Sequence, residues 1–216
     1  GLRRMYGEQE DVYYYLTVMN ENYPHPAMPV GCEEGIRRGI YRLQAAKKGR
    51  GPEVQLLGGG AILREVEAAA ALLAEEGVRA SVWSATSFTE LRREGLDVER
   101  WNALNPEQKP RQAWVTSQLA GSKGPIIAAT DYMKVHADQI RAFLPAGRDF
   151  RVLGTDGFGR SDSRSQLRRH FEVDAAHVAY TALLALHAQG EIATDKLLAA
   201  RARWGVDPAQ PHAARA

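Results

Sequence analysis

The chain predicts an α/β domain whose mostly parallel sheet is covered by helices on both faces. Three observations carry that expectation. Short runs rich in aliphatic and β-branched residues recur at 54–57, 80–85, 125–129 and 150–153. Segments with helical spacing of apolar positions separate and follow them. The 216 residues are 44% hydrophobic and 25% charged, the composition of a packed domain and far from that of a disordered chain. No internal repeat is visible, and the length fits one domain of usual size with part of another.

Taken in order, residues 12–18 are β-branched and aromatic, with Tyr13, Tyr14 and Tyr15 in succession, and are expected to form a strand. Prolines at 24, 26 and 29 follow. At that density neither a ladder nor a helix continues, so an extended linker and a domain boundary are expected between about Tyr23 and Gly35. Residues 36–43 lead to the polar turn of Lys47, Lys48, Gly49, Arg50, Gly51 and Pro52, a hairpin or connection. The 54–57 strand, the glycines at 58, 59 and 60, and a helix over 62–76 make half of a βαβ unit. After the 80–85 strand, Ser87 stands where it caps a helix, with Glu90 three residues on. A strand at 125–129, a helix over 132–144, a strand at 150–153 and three closing helices over 163–171, 175–189 and 194–204 complete the pattern. The tail after Gly205, with Pro208 and Pro211, is expected to fray.

Charge and cysteine content exclude several classes. With 28 basic against 26 acidic residues, a formal net charge of +2 gives no case for nucleic acid or an anionic membrane. The single cysteine, Cys32, excludes an intramolecular disulfide and a paired-cysteine zinc site, and a reducing, cytoplasmic setting is expected. No apolar run approaches the ~20 residues that span a bilayer. The chain opens at Gly1 without methionine, as a fragment would.

Among motifs, the glycines at 58–60 lie between strand and helix, where free amides favour an anion. They match neither the Walker nor the dinucleotide spacing, and a structural tight turn is the expected role. Thr155, Asp156 and Gly157 resemble half of a magnesium-diphosphate motif, but threonine precedes the aspartate and no suitable asparagine follows, so no metal site is expected. Arg160, Arg164 and Arg168 recur every four residues, on one face if helical. They form a solvated face or a contact with a partner or subunit, with Asp162 and Glu172 as ion-pair mates. Cys32 lacks a close basic neighbour and is expected to be inert. His25, between two prolines, is loop decoration or a proton-transfer group beside an active site. No two histidines have metal-ligand spacing, and no catalytic constellation is complete.

Longer words carry a resemblance: Asn20-Glu21-Asn22-Tyr23, Thr86-Ser87-Phe88-Thr89-Glu90-Leu91, Glu99-Arg100-Trp101-Asn102, Thr130-Asp131-Tyr132-Met133-Lys134, and the stretch from Gly154 to Arg164. Through them the whole chain resembles the carboxy-terminal third of the homodimeric, thiamine-diphosphate-dependent decarboxylating component of pyruvate dehydrogenase, a transketolase-like family. The resemblance implies a three-layer αβα domain like the transketolase carboxy-terminal domain, preceded by a remnant strand of a pyrimidine-binding domain. The implied divisions are 1–25, a linker at 26–35, the domain at 36–205 and a flexible tail at 206–216. It implies decarboxylation of pyruvate and transfer of acetyl to a lipoyl group on the dihydrolipoyl acetyltransferase. Thiamine diphosphate and magnesium belong to other regions of such enzymes, so none is expected bound here. No catalytic residue is carried over. Asn20, Glu21 and Asn22 are candidates for the active-site margin. Arg160, Asp162, Arg164 and Arg168 are interface candidates in a homodimer whose third domain supports the dimer. The rival expectation is a self-standing interaction or regulatory module of the same fold that binds a subunit, an anion or a nucleotide.

Overall fold

The computed structural model describes residues 1–14, 22–24 and 26–215. Five strands form one sheet: β1 (Tyr41–Gln44), β2 (Glu53–Gly58), β3 (Arg79–Ser84), β4 (Ile126–Ala129) and β5 (Phe150–Leu153), in the order β1-β3-β2-β4-β5. β3, β2, β4 and β5 run parallel, with Leu56 opposite both Val82 and Ile127. β1 lies antiparallel on β3 at the edge, with a register shift between Arg42 and Gln44.

The parallel strands are buried on both faces, so their side chains alternate between two cores. Val54, Leu56, Val82, Ile127 and Ala129 enter one, against α2 (Leu63–Glu75), α7 (Ala175–Ala188) and α8 (Thr194–Arg203). Leu57, Trp83, Ile126 and Ala128 enter the other, against α3 (Phe88–Leu104), α4 (Trp114–Leu119) and α5 (Lys134–Asp138). Each wholly buried leucine or isoleucine contributes on the order of 1.5–3 kcal/mol. One polar side chain, Gln55, is also fully buried, and it is fully engaged. Its Oε1 accepts from Trp83 Nε1 at 2.9 Å, and its Nε2 donates to Lys123 O at 3.0 Å and Glu53 Oε1 at 3.0 Å. That network avoids the ~1–3 kcal/mol cost of an unpartnered buried amide.

The expected α/β class, the parallel strands and the closing helices are present. α6 (Arg164–His170) is capped by Ser163, whose hydroxyl accepts from Gln166 N–H, and α7 by Asp174 in the same way from His177. Ser87 caps α3 through Glu90 N–H at 3.1 Å, as the capping-box pattern predicts.

Five points revise or extend the expectations. Residues 132–144 form not one helix but α5 and a 3₁₀ turn at Arg141–Phe143. Tyr132 O is already engaged by Thr155 N–H at 2.9 Å, and Met133 is extended, so no helix can start before Lys134. Residues 36–43, given no element in the sequence reading, hold the end of α1 (Glu33–Arg38) and most of β1, and α1 begins within the expected linker. α4 has no counterpart in the sequence pattern. The tail makes contacts: Gln210 Nε2 donates to Arg169 O at 3.3 Å, and Ala213 lies against Gly157. Of the strand expected at 12–18, Val12, Tyr13 and Tyr14 have no strand conformation, and 15–18 lie outside the described residues. No helix of the described residues is long and apolar enough to cross a membrane.

Candidate functional site

From β2 the chain crosses to β3 through α2 on one face. It then returns past β2 to β4 through α3 and α4 on the other face. This reversal leaves a crevice at the carboxyl ends of β2 and β4, the place where ligands of open α/β sheets collect. A cleft of ≈340 Å³ lies there. Ala61 and Ile62 line it after β2, Asp131 after β4, Thr155, Gly157, Gly159 and Arg160 after β5, and Arg164, Leu167, Arg168, Phe171 and Val173 from α6 and its end. A second hollow, of ≈590 Å³, shares Ala61 and adds Tyr23, Pro24, Pro26, Gly60 and Arg64.

The turn after β2 requires glycine for two different reasons. A Cβ on Gly58 would meet Leu63 Cα at 2.7 Å, so glycine lets α2 approach the strand. Gly60 has φ +56°, a left-handed conformation costly to a side chain. Together they give the structural turn expected of the triplet. The loops after β4 and β5 lock together. Thr155 N–H donates to Tyr132 O, the Thr155 hydroxyl to Asp131 O at 2.6 Å, and Lys134 N–H to Asp156 Oδ1 at 2.9 Å. Asp156 therefore starts α5. Its carboxylate and the Thr155 hydroxyl are both engaged, and among the described residues no three of His, Cys, Asp and Glu gather as metal ligands. The residues here do not fit a magnesium diphosphate, and no catalytic step through one can be built on them.

The arginines expected on one helix face are not so arranged. α6 starts at Arg164, so Arg160 stands in the loop before it, while all three still line the cleft. Arg168 pairs with Glu65 at 2.9 Å and donates to Tyr23 Oη at 3.4 Å. Glu65 also accepts Ala175 N–H at 3.0 Å, so one carboxylate of α2 holds α6 and the start of α7. Asp162 Oδ1 accepts Ser163 N–H at 2.6 Å. Next to this group, Arg169 pairs with Asp174 at 3.2 Å, and His177 Nδ1 lies 2.7 Å from Asp174 Oδ1. Burial pushes the Asp174 carboxyl up, but the hydrogen bonds from His177 and Arg169 prevail and hold it below the ordinary aspartate range.

Asn20, Glu21 and His25 lie outside the described residues; Asn22 is exposed, one residue before Tyr23. Tyr23 itself carries contacts that the sequence did not announce, with Arg64 stacked 3.9 Å from its ring centre. Cys32 is buried, which removes it from reagents and substrates. Also missed was an apolar surface at the carboxyl edge, on its loops and the first turn of α5: Tyr132 is 53% exposed, Met133 58%, Val135 64% and Phe158 85%. Its one visible signal was Phe158, a large apolar residue among glycines and polar residues.

The fold and its switch-point crevice define a transketolase-like domain. The family described as Transketolase-like TK C-terminal domain matches residues 39–174, more than half of the chain, and the chain belongs to that family. The family described as Pyruvate dehydrogenase E1 component middle domain matches residues 1–26. The chain is 56% identical over 209 residues to the pyruvate dehydrogenase E1 component of Pseudomonas aeruginosa, covering 96% of this chain and 24% of that protein. To the Escherichia coli K12 protein of the same name it is 54% identical over 209 residues, covering 96% and 23%. It is thus homologous to the carboxy-terminal region of the pyruvate dehydrogenase E1 component and spans about a quarter of the length of these curated relatives. A solved transketolase from Leishmania mexicana is similar with TM-score 0.47 and 18% identity, covering 72% of this chain and 19% of that one.

Proposed function

We propose that the chain acts as the carboxy-terminal part of a pyruvate dehydrogenase E1 component, an oxidoreductase, and that its own task is structural. In this reading residues 1–25 close the pyrimidine-binding domain, 26–35 form the linker, 36–205 form the carboxy-terminal domain and 206–216 the tail. The complete enzyme decarboxylates pyruvate on thiamine diphosphate and magnesium held by its other domains. It then passes the acetyl group to the lipoyl acetyltransferase. The chain supports a homodimer in the cytoplasm, with Arg160, Asp162, Arg164 and Arg168 near the interface and Asn20, Glu21 and Asn22 at the active-site margin.

The observation that carries the proposal is the 56% identity maintained over 209 residues. The order of the two family matches, middle domain and then carboxy-terminal domain, agrees with it. The engaged state of Asp156 and Thr155 supports a structural role for that loop. The test is reconstitution: the chain is mixed with the amino-terminal three quarters of the Escherichia coli relative, thiamine diphosphate and magnesium, and pyruvate-dependent dye reduction is followed. Activity above that of the amino-terminal portion alone is expected. No gain, with an amino-terminal portion shown to bind the cofactor, would contradict the proposal.

A further inference from the structure

We infer that the carboxyl edge of the sheet is a docking face for a folded pyruvate dehydrogenase E1 middle domain, with Tyr132, Met133, Val135 and Phe158 as its apolar contacts. The inference rests on the reading of the chain as part of an E1 component and goes further by naming the surface and its occupant.

Four large apolar side chains stand exposed at this edge: Tyr132 and Met133 on the loop after β4, Val135 in the first turn of α5 that continues it, and Phe158 on the loop after β5. The other exposed aliphatics of the helices, Ile36 on α1, Leu96 and Leu104 on α3, Leu184 on α7 and Leu198 on α8, are spread over four helices, as on any protein surface. The two carboxyl-edge loops are also held in place. Thr155 binds the backbone of both Tyr132 and Asp131, and Asp156 accepts the first amide of α5. A surface already ordered loses little conformational freedom on association.

The chain itself indicates the occupant. Residues 1–26 match the middle-domain family, and Tyr23 lies within that match. Tyr23 is fixed at this same edge, under the Arg64 guanidinium and against Arg168, in a hollow that shares Ala61 with the switch-point cleft. The polypeptide of the middle-domain family therefore meets this domain at the edge where the apolar loops stand. Each residue of extended chain spans only about 3.3–3.6 Å. A middle domain continuous with residues just before Tyr23 must sit beside this edge. The opposite edge of the sheet is a strand length away.

The test measures binding of the amino-terminal three quarters of the Escherichia coli relative, first shown to bind thiamine diphosphate and magnesium, to the chain and its variants by titration calorimetry. Phe158→Asp and Val135→Asp alter exposed side chains, and melting curves check that folding is unchanged. Each is expected to weaken binding roughly tenfold to a hundredfold, the effect of losing one well-buried apolar side chain. Leu104→Asp, on α3 away from this edge, is expected to bind as the parent does. Binding that is unaffected by Phe158→Asp and Val135→Asp but lost with Leu104→Asp would overturn the docking face while leaving the E1 reading intact. No binding by the parent chain would overturn both. Self-association of the chain alone that Phe158→Asp abolishes would give the face to a second copy and overturn the inference.

Discussion

The two ends of the parallel sheet differ in how their polar groups are used. At the amino end, charges are absorbed within the domain. Arg148 Nε donates to Gly124 O at 2.7 Å and its Nη1 to Ser122 O at 3.0 Å, clamping the loop before β4. Burial pushes this guanidinium below its ordinary value while Glu53 works in the opposite sense. Arg79 pairs with Glu53 at 3.1 Å and Arg151 with Asp149 at 3.0 Å, and the Lys47 to Gly51 turn is exposed throughout. At the carboxyl end, hydrogen bonds fasten the loops and the start of α5, which then present Phe158, Met133, Tyr132 and Val135 outward. One end is finished as a solvated surface. The other is ordered yet left apolar, as a surface awaiting contact is built. Identical strands thus serve a domain that is closed at one end and connected at the other.

The largest expected effect falls on the joint that supports the carboxyl end. Glu65→Ala removes the carboxylate that pairs with the mostly buried Arg168 and accepts the Ala175 amide. A loss of about 3 kcal/mol is expected in urea unfolding, since a charge-assisted hydrogen bond and the acceptor of a backbone amide are lost together. A loss below about 1 kcal/mol would mean that α6 is held chiefly by its apolar contacts. At the amino end, Arg148→Met keeps the stem and removes the donors to the 119–124 loop, with about 1–3 kcal/mol expected from the same measurement.

Next is Asp174→Ala, which removes the α7 cap and should cost about 1 kcal/mol. Because the folded carboxyl is held below its ordinary value of 3.8, its stabilisation is present above that pH and disappears as pH falls through the lower folded value. Melting from about pH 6 to about pH 3 should therefore show a smaller acid-induced drop in Asp174→Asn than in the parent, since asparagine caps without titrating. The smallest effect is at the exposed turn: Lys48→Glu should change stability by less than about 0.5 kcal/mol and leave association untouched. A marked loss of association there would reverse the contrast between the two ends.

The sequence made the frame legible because periodicity and capping are local. The strands at 54–57 and 150–153, and the cap at Ser87, need only neighbouring residues to be recognised. β1 was hidden because it is a four-residue edge strand, half exposed and irregular in register, whose partner β3 lies about forty positions away. The 132–144 segment was misjudged for the opposite reason. Its helical pattern is sound, but Thr155 and Asp156, distant in sequence, take over the backbone groups where it would have begun. The arginine spacing suggested a stripe, and the loop before α6 broke it. Arg168 found Glu65, which is 103 positions away, and no spacing rule reaches that far. The word resemblance identified the family, while the contact surface became visible only when separate loops were brought to one edge.

Hydrogen exchange of the chain, with and without the amino-terminal three quarters of the Escherichia coli relative, compares the two ends in one experiment. Protection is expected at 130–136 and 154–160 and none at 45–52 and 120–124. Protection confined to 45–52 and 120–124 would contradict the account, because the end that the fold closes would then be the one that binds.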